Sequence, residues 1–340
     1  MMRNLVTAGF NPESPDLRLL DFGCGAGEML IGLRNYPNFT LWGCDLESDL
    51  VDWCSSNLNA QCLKNELDPP LPYEDNSFDV INAISVFTHL SLDMQFKWAW
   101  ELYRVIKPSG YLHFTAHGPA YFGLFTHVAK TRRITNLEFH WFGADSFFLE
   151  LEQPINEELY KPKTGANAQG QLEVAVANTE AAIRIIFSPF IVKNIVREGG
   201  IGSGHDAYVL QKPDSNHASL LTPFESIETL DGKSVEIKAD LSPVNANKNR
   251  MFRIFSTATE PGTYITEVSA YLQGFSKQGQ FFDEVRQISK GTRYFGSSQW
   301  NIVEIPIPAT VHGPVTFKLK SSASHPGYLE KIRWVAPHVC

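Results

Sequence analysis

The feature that most constrains this chain is a short apolar run that ends in three alternating glycines. Leu17-Arg18-Leu19-Leu20-Asp21-Phe22 reads as a buried strand and passes directly into Gly23-Cys24-Gly25-Ala26-Gly27. Glycine permits backbone conformations closed to other residues, and it lets a ligand approach where a Cβ would exclude it. A strand ending this way opens an α/β sheet, whose ligands bind beyond the carboxyl ends of the strands. The next residues keep the alternation. Residues 39–45 read as a second strand, and a helix over 49–58 starts at Ser48 or Asp49, both good N-caps. Phe78-Asp79-Val80-Ile81-Asn82-Ala83-Ile84 is a further strand. The amphipathic pattern over 91–105 predicts a helix ended by Pro108 and Gly110, with residues 110–115 as the strand after it. Residues 191–196 and 206–210 read as two strands joined by a Gly-rich turn over 198–205. The fold class is α/β: a Rossmann-like sheet with helices on both faces.

A Pro/Ser/Asn stretch from Lys212 to Pro223 reads as a linker, and past it the hydrophobic period changes to two. Val235, Ile237, Ala239 and Leu241 alternate with Glu236, Lys238 and Asp240. Val303, Ile305 and Ile307 repeat the pattern, as do Val315, Phe317 and Leu319. Short strands between Gly, Pro and Asn clusters predict an all-β sandwich of jelly-roll type. The expected division is therefore a first domain at 1–212, a linker at 213–223 and a β-sandwich at 224–340.

Composition narrows the function classes. A formal net charge of −8 argues against a nucleic-acid partner. No run of about eighteen apolar residues is available to span a membrane. Met1-Met2-Arg3-Asn4-Leu5-Val6 lacks a signal-peptide core, and five scattered cysteines without a C-x-x-C pair fit a reducing compartment, so a cytoplasmic location is expected.

The glycine turn speaks against a dinucleotide. Such enzymes use G-x-G-x-x-G and seat a pyrophosphate on the helix N-terminus. Here Glu28 takes the last glycine's place, and its carboxylate would repel that ligand. Asp21 suits a cationic group instead, such as the amino group of a methionine moiety. Asp45, at the end of the second strand, can accept hydrogen bonds from both hydroxyls of an adenosine ribose. Two more motifs follow: Pro69-Pro70-Leu71-Pro72-Tyr73 before the strand at 78–84, and Arg104-Val105-Ile106-Lys107-Pro108-Ser109-Gly110 before the next.

These four motifs, in this order over about residues 15–212, resemble the class I S-adenosylmethionine-dependent methyltransferases. The chain is particularly similar to those of bacterial surface-glycan pathways, on three segments. They are Pro69 to Pro72, Ser85-Val86-Phe87-Thr88-His89-Leu90, and Thr115-Ala116-His117-Gly118. The resemblance implies S-adenosyl-L-methionine as cofactor and a sheet whose last strand is inserted antiparallel. It implies that Asp21, Gly23, Gly25 and Gly27 line the methionine and ribose side, that Asp45 holds the ribose and that Leu46 lies against the adenine. Asn65 and Glu66 would close over the base, and Ala83 and Ser85 would lie near the sulfonium. Only about sixteen residues precede the first strand, where many relatives carry covering helices. A lid would then come from residues 119–165, from a second copy or from a partner protein.

For the acceptor, a base near the methyl group is needed when a sugar hydroxyl is the nucleophile. His117 and His89, which follow the fifth and fourth strands, are the candidate catalytic residues. His205 and Asp206 on the late hairpin can reach the same cleft, and His140 in Phe139-His140-Trp141-Phe142 is a further candidate. No His/Asp/Glu set has metal-ligand spacing, so no metal is expected. The end of the chain is similar to jelly-roll carbohydrate-binding modules, with Tyr264, Tyr271, Tyr294, Trp300 or Tyr328 as a stacking platform or as core. The expected function is O-methylation of a sugar of a surface polysaccharide or its precursor. The alternatives are a small-metabolite, lipid or protein acceptor, or a catalytically degenerate glycan-binding or scaffold protein. Asp45→Ala is expected to weaken S-adenosylmethionine binding by about 1–3 kcal/mol through lost charge-assisted hydrogen bonds. Calorimetric titration measures this, and an unchanged affinity would remove the ribose role.

Overall fold

A computed structural model describes residues 1–132, 137–143, 146–153, 173–197 and 204–214, and beyond these the strands named below. The chain divides into two compact units: Met1–Leu137 with Phe148–Ser215, and Glu138–Phe147 with Asn216–Cys340. Along the first part run α1 (Met2–Thr7), β1 (Leu17–Phe22), α2 (Glu28–Leu33), β2 (Phe39–Asp45), α3 (Ser48–Asn57), β3 (Ala60–Lys64), β4 (Phe78–Ala83), α4 (Leu92–Val105), β5 (Ile106–Ala116) and α5 (Ala120–Arg132). Then come β6 (Leu137–Gly143), β7 (Ser146–Gln153), β8 (Glu173–Asn178), α6 (Glu180–Ile186), β9 (Ile191–Val196) and β10 (Asp206–Gln211).

The first unit is built on a seven-stranded sheet in the order β3-β2-β1-β4-β5-β10-β9. The first five strands are parallel, and β10 enters antiparallel between β5 and β9. This is the inserted antiparallel strand that the motif resemblance implies. Parallel strands covered on both sides read as continuous apolar runs, and β1, β4 and β5 do so because alternate residues enter two separate cores. On one face Leu17, Leu19, Val80, Tyr111 and Val209 pack with Leu5 of α1, Leu30 and Leu33 of α2, and Val51 of α3. On the other, Phe22 meets Trp98 of α4 at 4.6 Å, and Phe114 stacks on Tyr208 at 5.2 Å and on Phe187 at 4.6 Å. Fully burying each such side chain contributes on the order of 1.5–3 kcal/mol.

Several boundaries differ from the sequence reading. The helix read over 91–105 does end at Val105, but the strand after it begins before Pro108 and Gly110. Strand β5 starts at Ile106, and Pro108-Ser109-Gly110 lies in an irregular stretch where the β4–β5 register shifts. Ser109 takes φ 62°, and a Cβ on Gly110 would sit 2.9 Å from the Lys107 carbonyl oxygen, so small residues are required there. The helix over 48–57 is preceded by Glu47, whose N–H is taken by Asp45 Oδ1 at 3.1 Å; neither Ser48 nor Asp49 is the cap. Ser91 does cap α4, accepting from the Met94 N–H. Strand β3 escapes sequence detection because Gln61, Leu63 and Lys64 are all exposed.

Lys212, the last residue of the expected first domain, is a buried part of the first unit. Its Nζ donates to Asn76 Oδ1 and to the carbonyls of Tyr103 and Ile106, at 2.8, 2.8 and 2.9 Å, and lies 4.5 Å from the Tyr103 ring centre. Burial lowers its pKa to about 8.

In the second unit the strands are β11 (Ser219–Leu220), β12 (Ile227–Glu228), β13 (Ser234–Leu241), β14 (Arg250–Ala258), β15 (Tyr264–Ser276), β16 (Phe281–Tyr294), β17 (Ser297–Gln299), β18 (Asn301–Ile307), β19 (Val311–Ala323) and β20 (Ile332–Val339). The alternating segments singled out above lie in β13, β18 and β19. One sheet runs β11-β20-β14-β18, with β12 also on β20; another includes β13-β19-β15-β16-β17-β6. Phe252 of β14 stacks on Phe317 of β19 at 3.9 Å, both fully buried. Trp300 and Tyr328 lie outside the described residues, as do the side chains of His140, Tyr264, Tyr271 and Tyr294.

Replacing the Lys212 ammonium leaves three buried acceptors short of a donor, so Lys212→Met is expected to cost about 1–3 kcal/mol. Urea unfolding of the full chain reads the difference. A loss within error would show that water takes over the three contacts.

Candidate functional site

The glycine turn after β1 is fixed from below. The N–H groups of Gly23 and Cys24 both donate to the Cys44 carbonyl, at 2.8 and 3.0 Å, which pins the turn to the end of β2. Gly23, Gly25 and Gly27 all take positive φ, at 74°, 50° and 77°. A Cβ at Gly23 would collide with Val86, and one at Gly27 would come within 2.5 Å of Leu58. One at Gly25 would meet no atom within 4 Å. The turn is therefore packed at both ends and open at its middle, as a ligand cradle requires. Asp45 Oδ2 accepts the Gly25 N–H at 2.8 Å while Oδ1 accepts that of Glu47, so this carboxylate sets the turn and the start of α3 together.

Beneath the turn lies a buried polar row that the strand register creates. Asp21 of β1 stands beside Asn82 of β4, which stands beside His113 of β5. Asn82 Nδ2 donates to Asp21 Oδ1 at 2.7 Å, and its Oδ1 faces His113 Nδ1 at 2.9 Å. With the amide so oriented, His113 carries its proton on Nδ1. Its Nε2 is left to accept from Asn4 Nδ2 of α1 at 3.4 Å. Burial brings His113 down to about 3, so the ring is neutral at physiological pH. Asp21 is only 3% exposed. Burial raises its pKa to about 7, opposed by the Asn82 hydrogen bond and helped by the charge of Asp45. A carboxyl poised near neutrality gains from a cationic partner.

At the edge of the sheet the Asn65 N–H donates to the Asp45 carbonyl at 3.1 Å, so Asn65, just past β3, lies beside the end of β2. Asn65 Oδ1 is buried with no partner, a polar atom that a ligand amino group would satisfy. Leu46 is half-buried and Glu66 exposed. These features fit the nucleoside half of S-adenosylmethionine: an open glycine turn, a carboxylate at the end of β2 and an unsatisfied amide beside it.

Beyond β4 and β5 a second group assembles. Ala83 is buried, and Ser85 is held at φ 62° with its N–H donating to Thr115 Oγ1 at 2.8 Å. Positive φ in a non-glycine residue carries strain and gathers at functional sites. The Nδ1–H of His117 donates to the Val176 carbonyl at 2.9 Å, which fixes the ring. The His117 ring stacks on Tyr121 at 3.9 Å and meets His205 edge-on at 4.6 Å. Burial lowers its pKa to about 4, with smaller contributions from the charges of His205 and His89. His205, itself lowered by burial, has Nδ1 3.4 Å from Thr115 Oγ1, and His89 is exposed. The structure thus brings His89, His117 and His205 into one neighbourhood. Asp206 pairs with Arg197 at 2.6 Å. A Cβ on Gly118 would run into that Asp206 carboxylate, which explains the glycine after His117.

Sequence reasoning missed four of these residues. Asn82 and His113 were legible as lone polar side chains inside apolar strands. Tyr121 carried no signal, and neither did Asn178. The Asn178 N–H donates to the His117 carbonyl at 2.8 Å, while both polar atoms of its buried side chain lack partners.

Residues 20–114 match the family model described as a methyltransferase domain. The sterol 24-C-methyltransferase of Schizosaccharomyces pombe is 34% identical over 108 residues, 28% of this chain and 26% of that protein. The fatty-acid O-methyltransferase of Mycolicibacterium smegmatis is 32% identical over 108 residues, 31% of this chain and 38% of that protein. A solved S-adenosylmethionine-dependent methyltransferase of Methanosarcina mazei is 18% identical at a TM-score of 0.44, covering 59% of this chain and 95% of that one. The chain spans less than half the length of the curated relatives it matches. The first unit carries a class I S-adenosylmethionine-dependent methyltransferase domain of Rossmann-like fold, and its cofactor is S-adenosylmethionine.

The raised pKa of Asp21 has a definite pH signature. A carboxyl that titrates higher folded than unfolded contributes stability at low pH and loses it between its unfolded value near 4 and its folded value of about 7. The stability of the wild type relative to Asp21→Asn is expected to fall across that window and level off above it. Urea titrations at several pH values test this, and a pH-independent difference would place the Asp21 pKa in the ordinary range.

Proposed function

We propose that the chain is an S-adenosylmethionine-dependent O-methyltransferase whose acceptor is a hydroxyl of a sugar, in a surface polysaccharide or its precursor. The observation that carries the oxygen acceptor is His117: a neutral ring, fixed by Val176 in one tautomer, just past the carboxyl end of β5. When bound, the cofactor supplies an electrophilic methyl group on a sulfonium. Gly23, Gly25 and Gly27 with Asp45 would hold its ribose side, Asp21 its ammonium group, and Leu46, Asn65 and Glu66 its adenine. Ala83 and Ser85 would border the reacting centre.

In-line displacement depends on holding the acceptor oxygen in line with the breaking bond, which accounts for much of such catalysis. As the acceptor oxygen takes up the methyl group the cofactor would supply, its proton would pass to His117. Because His117 is neutral above about pH 4, the base is available throughout the physiological range. Its low basicity makes proton removal concerted with, or later than, attack. His89 is the second candidate, and His205 meets the His117 ring edge-on at 4.6 Å. The second unit would hold the glycan, in keeping with its alternating strands.

A second reading keeps the chemistry and changes the acceptor to a lipid, small metabolite or protein. It is favoured by the relative named as a fatty-acid O-methyltransferase, 32% identical over 108 residues. On either reading, a lid is to be sought in residues 119–165, a second copy or a partner.

Calorimetric titration with S-adenosylmethionine, S-adenosylhomocysteine and NADH is expected to show binding of the first two alone. Absence of all binding by folded protein would move a scaffold role to the front. With an acceptor in hand, His117→Ala is expected to lower kcat on the order of 100-fold or more with cofactor affinity nearly intact. A kcat that hardly moves makes His117 structural. In the wild type, kcat at saturating substrates should show no acid limb near the ordinary histidine pKa, only one at about 4.

A further inference from the structure

Three of the scattered cysteines converge behind the glycine turn. Cys24 in the turn, Cys54 on α3 and Cys62 on β3 are all buried, and their Sγ atoms lie within 4.8 Å of one another. Two glycines make the convergence feasible. A Cβ at Gly43 would stand 2.9 Å from Cys62 Sγ and 3.1 Å from Cys24 Sγ, and one at Gly27 would stand 2.9 Å from Cys54 Sγ. The Gly25 carbonyl oxygen faces two of the sulfurs, at 3.5 Å from Cys54 and 3.8 Å from Cys24. A lone buried thiol packs as a small apolar group. Apolar packing gives no reason for three to meet at one point beside a carbonyl oxygen.

We propose that Cys24, Cys54 and Cys62 form a structural site for a thiophilic divalent d10 cation, zinc(II), with the Gly25 carbonyl as fourth donor. Zinc–sulfur bonds of about 2.3 Å in a tetrahedron place sulfurs roughly 3.8 Å apart, so the triad closes on the ion with shifts of an ångström or less. Three soft donors exclude magnesium and calcium, which take oxygen ligands. An iron–sulfur cluster would want four cysteines. Copper(I) would leave two net negative charges in a buried site near Asp21 and Asp45, whereas zinc(II) leaves one. Binding forms three zinc–sulfur bonds and releases three thiol protons to the buffer, with no change of oxidation state. The ion would join the turn, α3 and β3, the elements that frame Asp45 and Asn65. The site does not depend on which acceptor is methylated.

The test uses the full chain, reduced and freed of metal with a chelator, then titrated with zinc(II) and separately with cadmium(II). One ion per chain is expected, with a sulfur-to-cadmium charge-transfer band and a higher thermal midpoint. Cys54→Ser and Cys62→Ser, checked for native circular dichroism, should each weaken binding by on the order of 100-fold or more. X-ray absorption at the zinc edge of the wild-type protein, which requires no variant, should show three sulfurs and one light atom. A shell of nitrogen and oxygen only, binding unchanged in both variants, or no binding at micromolar zinc would each overturn the site.

Discussion

The first unit depends on one lateral interaction buried in its sheet, the row formed by Asp21, Asn82 and His113 on three adjacent strands. A polar group taken out of water costs more than an ordinary hydrogen bond returns unless its partners are in place. Here the partners are in place because the register of β1, β4 and β5 is correct; a slip of one residue would turn each side chain to the opposite face. The row therefore acts as a register lock. It also connects the ligand end of the sheet to α1, since Asn4 closes the row at His113. A single protonation pattern runs through it, with Asp21 titrating near neutrality and His113 neutral throughout.

Above the row, Asp45 has two duties that compete for the same oxygens. Its carboxylate holds the Gly25 and Glu47 N–H groups, so the turn and α3 are set before any ligand arrives. A carboxylate offers about four lone-pair sites, which leaves capacity for ribose hydroxyls. The turn and the start of α3 are thus organised by one carboxylate. Beyond β4 and β5 the neighbourhood of His117 is made of polar side chains: His89, His205, Thr115, Tyr121 and the unsatisfied amide of Asn178.

Much of this was legible in the sequence, for physical reasons that can be named. Strands β1, β4 and β5 are covered on both faces and so read as apolar runs, while the glycine turn is written in residues that nothing else can replace. The hairpin of β9 and β10 showed in its apolar runs around a Gly-rich turn. Strand β3 was silent because it is short and mostly exposed. That Lys212 is a core residue was not legible, since three acceptors distant in sequence, Asn76, Tyr103 and Ile106, make it one. The proximity of His89, His117 and His205 could be suspected from the carboxyl ends of their strands. The tautomer of His117 could not, since Val176 lies far along the chain with no motif around it. The thiol cluster was invisible for the same reason: Cys24, Cys54 and Cys62 have no regular spacing, and only the β2–β3 pairing and the seating of α3 bring them together.

The antiparallel insertion of β10 has a consequence for how the molecule is made. Its strand lies between β5 and β9 yet is the last of the seven to be synthesised. Until residues 206–211 emerge from the ribosome, the nascent chain carries an unpaired edge on β5 and a β9 with no neighbour, and open edges invite pairing with other chains. Closure waits for a contact between β5 and β10 about ninety residues apart, a long loop by the standards of folding kinetics. The aromatic stack of Phe114 on Tyr208 forms in that same event, so the sheet and one of its two cores are completed together, late and from the middle.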